Sequence, residues 1–232
     1  MNLKKILIFL ALCFFSQSVF AAFILNGTRY IYDEGRKNIS IEVSNESKDS
    51  FGGQVWIDNI DKEDNTVSFI PLPTFFKVDG EKKQIIRIMK TTDSLPADKE
   101  SLFWLNVQEI PPLNKTQENA MVIAVNTQVK LIYRPKIIEG GRKNAEQKIE
   151  IHRENNAYFL KNPTPYYFAI LNIKVDGKLV KNNKRISESL AMFAPKSAIS
   201  LGAINLNEKS KITIDAIDDY GAKNSYLINL IK

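Results

Sequence analysis

From residue 22 onward, apolar side chains recur at every second position in short runs, the pattern of half-buried strands rather than helices. Ile39, Ile41 and Val43 alternate with Asn38, Ser40 and Glu42; Val55 and Ile57 alternate with Gln54, Trp56 and Asp58; Ile86 and Ile88 alternate with Arg87 and Met89. Turn formers separate the runs: Gly52-Gly53, Asp64-Asn65, Pro71 to Pro73, Asp79-Gly80, Pro111-Pro112, Asp176-Gly177, Asn182-Asn183 and Tyr220-Gly221. Signals spaced by roughly 8 to 12 residues predict antiparallel β-sandwiches. One short helical connector is expected within Pro96 to Glu100, where acids precede Ser101-Leu102-Phe103.

The pattern breaks once. After Tyr133-Arg134-Pro135 a polar stretch containing Gly140-Gly141 intervenes before Ile149 and Ile151 resume the alternation. This predicts a boundary there and two domains, 22–140 and 141–232, each near the roughly 100 residues of an immunoglobulin-like sandwich.

Residues 1–21 read differently. Lys4 and Lys5 precede an apolar run from Ile6 to Phe15, a polar stretch and Val19-Phe20-Ala21, the layout of a secretory signal peptide cleaved after Ala21. The run is too short to span a bilayer, which takes roughly 20 apolar residues. Leu12 stands where a lipoprotein signal before Cys13 would need a small residue.

Composition then narrows the chemistry. The 232 residues carry a net charge of +6, one Cys and one His. Removal of the leader takes away the Cys with Lys4 and Lys5, leaving 30 basic against 26 acidic residues. An exported chain without cysteine holds together by burial alone. A Cys/His zinc site and a Cys-x-x-Cys pair are excluded, so no metal site and no cofactor is expected. His152 lies on the polar side of a strand, and neither a Gly-x-Ser-x-Gly elbow nor a phosphate-cradling loop occurs, so no catalytic residue is assigned. Asp218-Asp219 reads as a turn rather than a glycosidase pair. The lysines are scattered through turns instead of forming a stripe, which argues against nucleic acid as a partner.

Ala120 to Pro135, AMVIAVNTQVKLIYRP, is the exception to the ordinary strand pattern. Met121, Ile123, Val125, Thr127 and Val129 share one face, yet Val122 and Ala124 make the other face apolar too. Such a strand is either buried in the middle of a sheet or an edge that offers its backbone to a foreign strand.

Leu95 to Pro112, LPADKESLFWLNVQEIPP, with Leu25-Asn26-Gly27-Thr28-Arg29, QVKLIYRP at Gln128 to Pro135, NPTPYY at Asn162 to Tyr167, and Asp219-Tyr220-Gly221, carries a resemblance that extends over residues 22–232. The sequence resembles the PapD-like periplasmic chaperones of the chaperone-usher pilus pathway. The resemblance implies an all-β protein of two immunoglobulin-like sandwiches in an L-shaped arrangement, located in the periplasm without stable membrane insertion. It implies pilus (fimbrial) subunits and an outer-membrane usher as partners. The strand matching Ala120 to Tyr133 would complete a subunit's sandwich, with Met121, Ile123 and Val125 entering its groove. Arg29 and Lys130 would anchor the subunit's terminal carboxylate, and Glu100, Arg134 and Asp219 would form an ionic network between domains. The connection from Ile110 to Ala120 resembles that of the short-loop subgroup. Whether the free chain caps its own strand as a homodimer stays open. The alternative from another class is a secreted fibre or adhesin subunit, which should carry an N-terminal donor extension.

Overall fold

The computed structural model describes residues 22–112, 123–155, 157–204, 206–207 and 209–231. The leader and Met121 lie outside the described residues. The first half packs two sheets face to face. One has the order β1-β3-β7-β5, built from β1 (Phe23–Leu25), β3 (Ile39–Asn45), β7 (Lys83–Lys90) and β5 (Phe69–Leu72). The other has the order β2-β9-β8-β4-β6, built from β2 (Arg29–Asp33), β9 (Asn126–Arg134), β8 (Ser101–Ile110), β4 (Phe51–Asn59) and β6 (Phe75–Val78). The alternation seen in the sequence sets the faces: Ile41, Val43, Ile86 and Ile88 are fully buried while Ser40 and Arg87 face solvent. Between the sheets Phe69 meets Phe103 and Tyr32 edge-on, with centroids 5.0 and 5.1 Å apart. Gly53 is required by this packing, because a Cβ there would lie 2.2 Å from the Phe76 ring.

The second half is a curled sheet of order β13-β12-β15-β16-β10-β11-β14. Its strands are β10 (Glu150–Glu154), β11 (Ala157–Asn162), β12 (Ala169–Val175), β13 (Lys178–Leu179), β14 (Ser197–Gly202), β15 (Ile212–Ile217) and β16 (Lys223–Ile231). Ile149, Ile151, Leu160, Ile173 and Ile214 fill its centre. The two buried clusters share no residue: one runs from Ala22 to Tyr133 and the other from Ala145 to Ile228. The fold is thus all-β with two immunoglobulin-like sandwiches, and among the described residues no helix is long and apolar enough to cross a membrane.

Three local expectations are corrected. Pro96 to Glu100 is not helical: its hydrogen bonds run to the second half instead of along the segment, with the Glu100 amide donating to the Pro165 carbonyl at 2.9 Å and Asp98 pairing with Lys196 at 2.9 Å. The helices lie elsewhere, at α1 (Lys136–Glu139) and α2 (Lys184–Ala191). Asn183, read as a turn residue, caps α2 by accepting from the Ile186 amide at 2.9 Å, and Leu190 one turn on is buried. The strand expected over Ala120 to Tyr133 is described only from Asn126 to Arg134, and Ile123–Val125 lie outside the ladder.

Candidate functional site

Strand β9 is half central and half edge. Its side toward β8 is paired from Asn126 to Tyr133. On its other side β2 runs parallel to it and covers only Lys130 to Arg134, in the register Arg29 to Lys130 through Asp33 to Arg134. Asn126 to Val129 therefore have no strand on that side among the described residues. Val129, Leu131 and Tyr133 point into the core, and Thr127, Val125 and Ile123 continue the same alternation beyond it. Ile123 is 68% and Val125 39% exposed.

The opposite face of this half-edge carries a polar hub that the sequence reading did not single out. Asn106, 1% exposed, accepts from Asn126 at 3.2 Å and from Gln128 at 2.9 Å through Oδ1. Its Nδ2 donates to Asp58 at 2.9 Å and to the Trp104 carbonyl at 3.3 Å. Both side chains of β9 that face outward here are thereby tied to β8 and, through Asp58, to β4.

Where β2 begins, Arg29 and Lys130 stand side by side on adjacent strands. Two like charges in register repel unless an anion lies between or beside them. Each reaches across to the second half: Arg29 Nη1 donates to the Ile217 carbonyl at 3.0 Å, and Lys130 Nζ donates to the Ala191 carbonyl at the end of α2. Arg29 Nε is buried with no hydrogen-bond partner. Burial first, and then the Arg29 charge, pull the Lys130 ammonium down to about 8. Burial also lowers the Arg29 guanidinium, opposed by Asp219. The pair is a cationic site whose charge is held at an energetic disadvantage, which a carboxylate would relieve.

Behind it lies a buried ionic relay. Glu100 accepts from Arg134 Nε at 2.7 Å and from the Tyr167 amide at 2.7 Å. Arg134 Nη1 reaches Asp219 at 2.8 Å, and the other Asp219 oxygen faces Arg142 at 3.3 Å. Arg142 grips Glu146 with two bonds of 3.0 and 2.8 Å. Burial pushes the Glu100 carboxyl up against the pull of Arg134, while Asp219 and Glu100 raise Arg134 in spite of burial. Arg142 and Glu146 extend the expected set of Glu100, Arg134 and Asp219. Their four-residue spacing in a polar stretch was the available signal, but it is shared by many solvated helix pairs. Asp218 is the turn former: its Oδ1 accepts from the Tyr220 and Ala222 amides. Gly221 closes that turn at φ +88°, and a Cβ on it would lie 3.0 Å from Thr28 Oγ1. His152 is partnered with Glu150 at 2.8 Å and takes no part.

Comparison with known proteins places both halves of the chain in one family. Residues 22–139 match the family described as pili and flagellar-assembly chaperone, PapD N-terminal domain, and residues 144–227 match the pili assembly chaperone PapD C-terminal domain. The chaperone protein FanE of Escherichia coli is 45% identical over 230 residues, covering 99% of this chain and 100% of FanE. The chaperone protein FaeE of Escherichia coli is 36% identical over 223 residues, covering 95% of this chain and 83% of FaeE. The crystal structure of the periplasmic chaperone SfaE superposes with a TM-score of 0.71 at 32% identity, covering 90% of this chain and 100% of that one. The chain belongs to the PapD-like family of pilus-assembly chaperones.

Proposed function

We propose that this chain captures pilus subunits in the periplasm by lending them β9, anchors their terminal carboxylate at Arg29 and Lys130, and hands them to an outer-membrane usher. The observation that carries the reading is the position of the two cations at the point where the open edge of β9 ends. A subunit strand lying along Asn126 to Val129 continues the line of β2. If its carboxylate ends at Arg29 and Lys130, it runs in the direction of β2, parallel to β9. Strand addition of this kind, for which pilus-subunit complementation is a standing example, takes affinity from the ladder and register from alternate side chains. Ile123 and Val125, with Met121 outside the described residues, supply the apolar row, each worth roughly 1.5 to 3 kcal/mol when transferred from water into an open core. Residues 22–140 form the capturing domain and 141–232 the domain that closes the anchor from the far side through the Ala191 and Ile217 carbonyls. The role needs no catalytic residue and no cofactor. A fibre or adhesin subunit is not favoured, since both halves match pilus-assembly chaperone domains and the chain is 45% identical to the chaperone FanE.

Co-expression of a pilus subunit with Arg29→Ala or Lys130→Ala tests the anchor. Each single variant should lower the complex recovered from the periplasm at least about tenfold, the scale of losing a charge-assisted pair. Full recovery with both variants would overturn the assignment.

A further inference from the structure

Glu109 is a carboxylate buried to 6% exposure on the inward face of β8, in line with Leu105 and Val107. It accepts from the backbone nitrogen of Ala22 at 2.9 Å and from that of Phe23 at 3.2 Å, both through Oε2. Among the described residues it takes part in no ion pair. The groups it meets are fixed in place. Ala22 and Phe23 are 6% and 5% exposed, and the Ala22 carbonyl accepts from the Glu46 amide at 2.8 Å. Phe23 opens β1, paired to Asn45 of β3. Neutral donors offset only part of the cost of burying a carboxylate, and a cation at the same place offsets much more.

In the uncleaved chain the Ala22 nitrogen is a neutral amide. Hydrolysis of the bond between residues 21 and 22 by a leader-cleaving endopeptidase consumes one water. The hydroxyl goes to the new carboxyl group of the leader and the hydrogen to Ala22, whose amine is protonated at neutral pH. We propose that Glu109 is a binding site for the chain's own α-ammonium, a site that exists only after cleavage at Ala22. Because β1 belongs to one sheet and β8 to the other, the new ion pair clamps the two sheets of the first sandwich. It does so beside the donor segment, since the Glu109 amide donates to the Val125 carbonyl at 3.0 Å. Removal of the leader is then a step of folding as well as of release. The inference rests on export with cleavage after Ala21.

Four chains test it: residues 22–232 and residues 21–232, each with Glu109 or with Glu109→Gln. The chain that starts at Ala22 should melt about 2 to 6 °C above the chain that starts at Ala21, read on the transition of the first half. The gap should close in the Glu109→Gln pair. No gap with Glu109 present, or an equal gap with Glu109→Gln, which would mark a steric effect of the extra residue, overturns the ion pair. Should Glu109→Gln fail to fold, the acylation rate of the α-amine decides: it should be at least about tenfold slower in the folded 22–232 chain than in urea, and equal rates overturn the proposal. The mass of the exported chain reports processing separately. A start other than Ala22 overturns the cleavage reading and this site with it, whereas a start at Ala22 without the melting gap overturns the site alone.

Discussion

Lys130 is the residue through which the site becomes sensitive to pH. Its ammonium is held down to about 8 in the free protein by burial and by Arg29, so it is increasingly neutral above that pH. A bound carboxylate favours the charged form, so above about pH 8 capture must take up a proton. Affinity is therefore full below about pH 8 and falls as pH rises, by up to about tenfold per unit until the lysine of the complex also titrates. Dissociation constants measured across that range should show the fall for the wild type and a flatter profile for Lys130→Arg. A flat wild-type profile would contradict the role of Lys130. Asp215 shows the opposite sign. Its buried carboxylate accepts from Lys174 at 2.8 Å and Ser225 at 2.7 Å, bonds that hold it down to about 2. Its contribution to stability is present above the unfolded value near 3.8 and is lost as pH falls toward about 2. Asp215→Asn should cost about 1 to 3 kcal/mol at neutral pH and blunt the acid unfolding of the second half, both read by denaturant titration.

At the scale of the element, β9 shows how a strand can be specified without being fully buried. A sheet slips register easily where neither face is committed, and a slip of one residue would turn Ile123 and Val125 to the other side. The core commits Val129, Leu131 and Tyr133; beyond Val129 the commitment passes to Asn106, which ties Asn126 and Gln128. Replacing both partners, Asn126→Ser with Gln128→Ser, should raise amide exchange over residues 126–129 and weaken subunit capture while leaving residues 130–134 protected by β2. Ile123→Asp should weaken capture at least about tenfold yet move the melting temperature by no more than about 1 °C, because an exposed side chain contributes little to the free fold. A large loss of intrinsic stability would mean the segment is buried in solution. The sequence displayed both apolar faces of this segment but could not choose between edge and centre, since the answer is the length of β2. The helix α2 escaped for a related reason: its Asn183 cap and its Ile186 and Leu190 stripe occupy one short polar interval in a chain otherwise patterned with period two.

At the scale of the whole molecule, the two sandwiches meet through ionic and backbone bonds between separate cores. Asp219 lies between Arg134 of the first half and Arg142 of the second, and its turn places the Ile217 carbonyl on Arg29. Asp219→Asn should leave both arginines undercompensated and loosen the joint. Calorimetry should then resolve two transitions, or separate them further than in the wild type, and capture should weaken even though Asp219 is not placed at the anchor. Unchanged calorimetry would show that the relay does not couple the halves. The sequence by itself determined the strand-rich class, the absence of cysteine beyond Cys13, and the resemblance that pointed to Arg29, Lys130, Glu100, Arg134 and Asp219. Each of these is written in local alternation, composition or contiguous motif. Tertiary structure alone decided that β2 begins only at Arg29 and leaves an edge open, that Asn106 pins that edge, that Arg142 and Glu146 complete the relay, and that Glu109 waits beneath Ala22. These depend on which distant segments end side by side, and neither hydrophobic periodicity nor residue spacing encodes where a partner strand runs out.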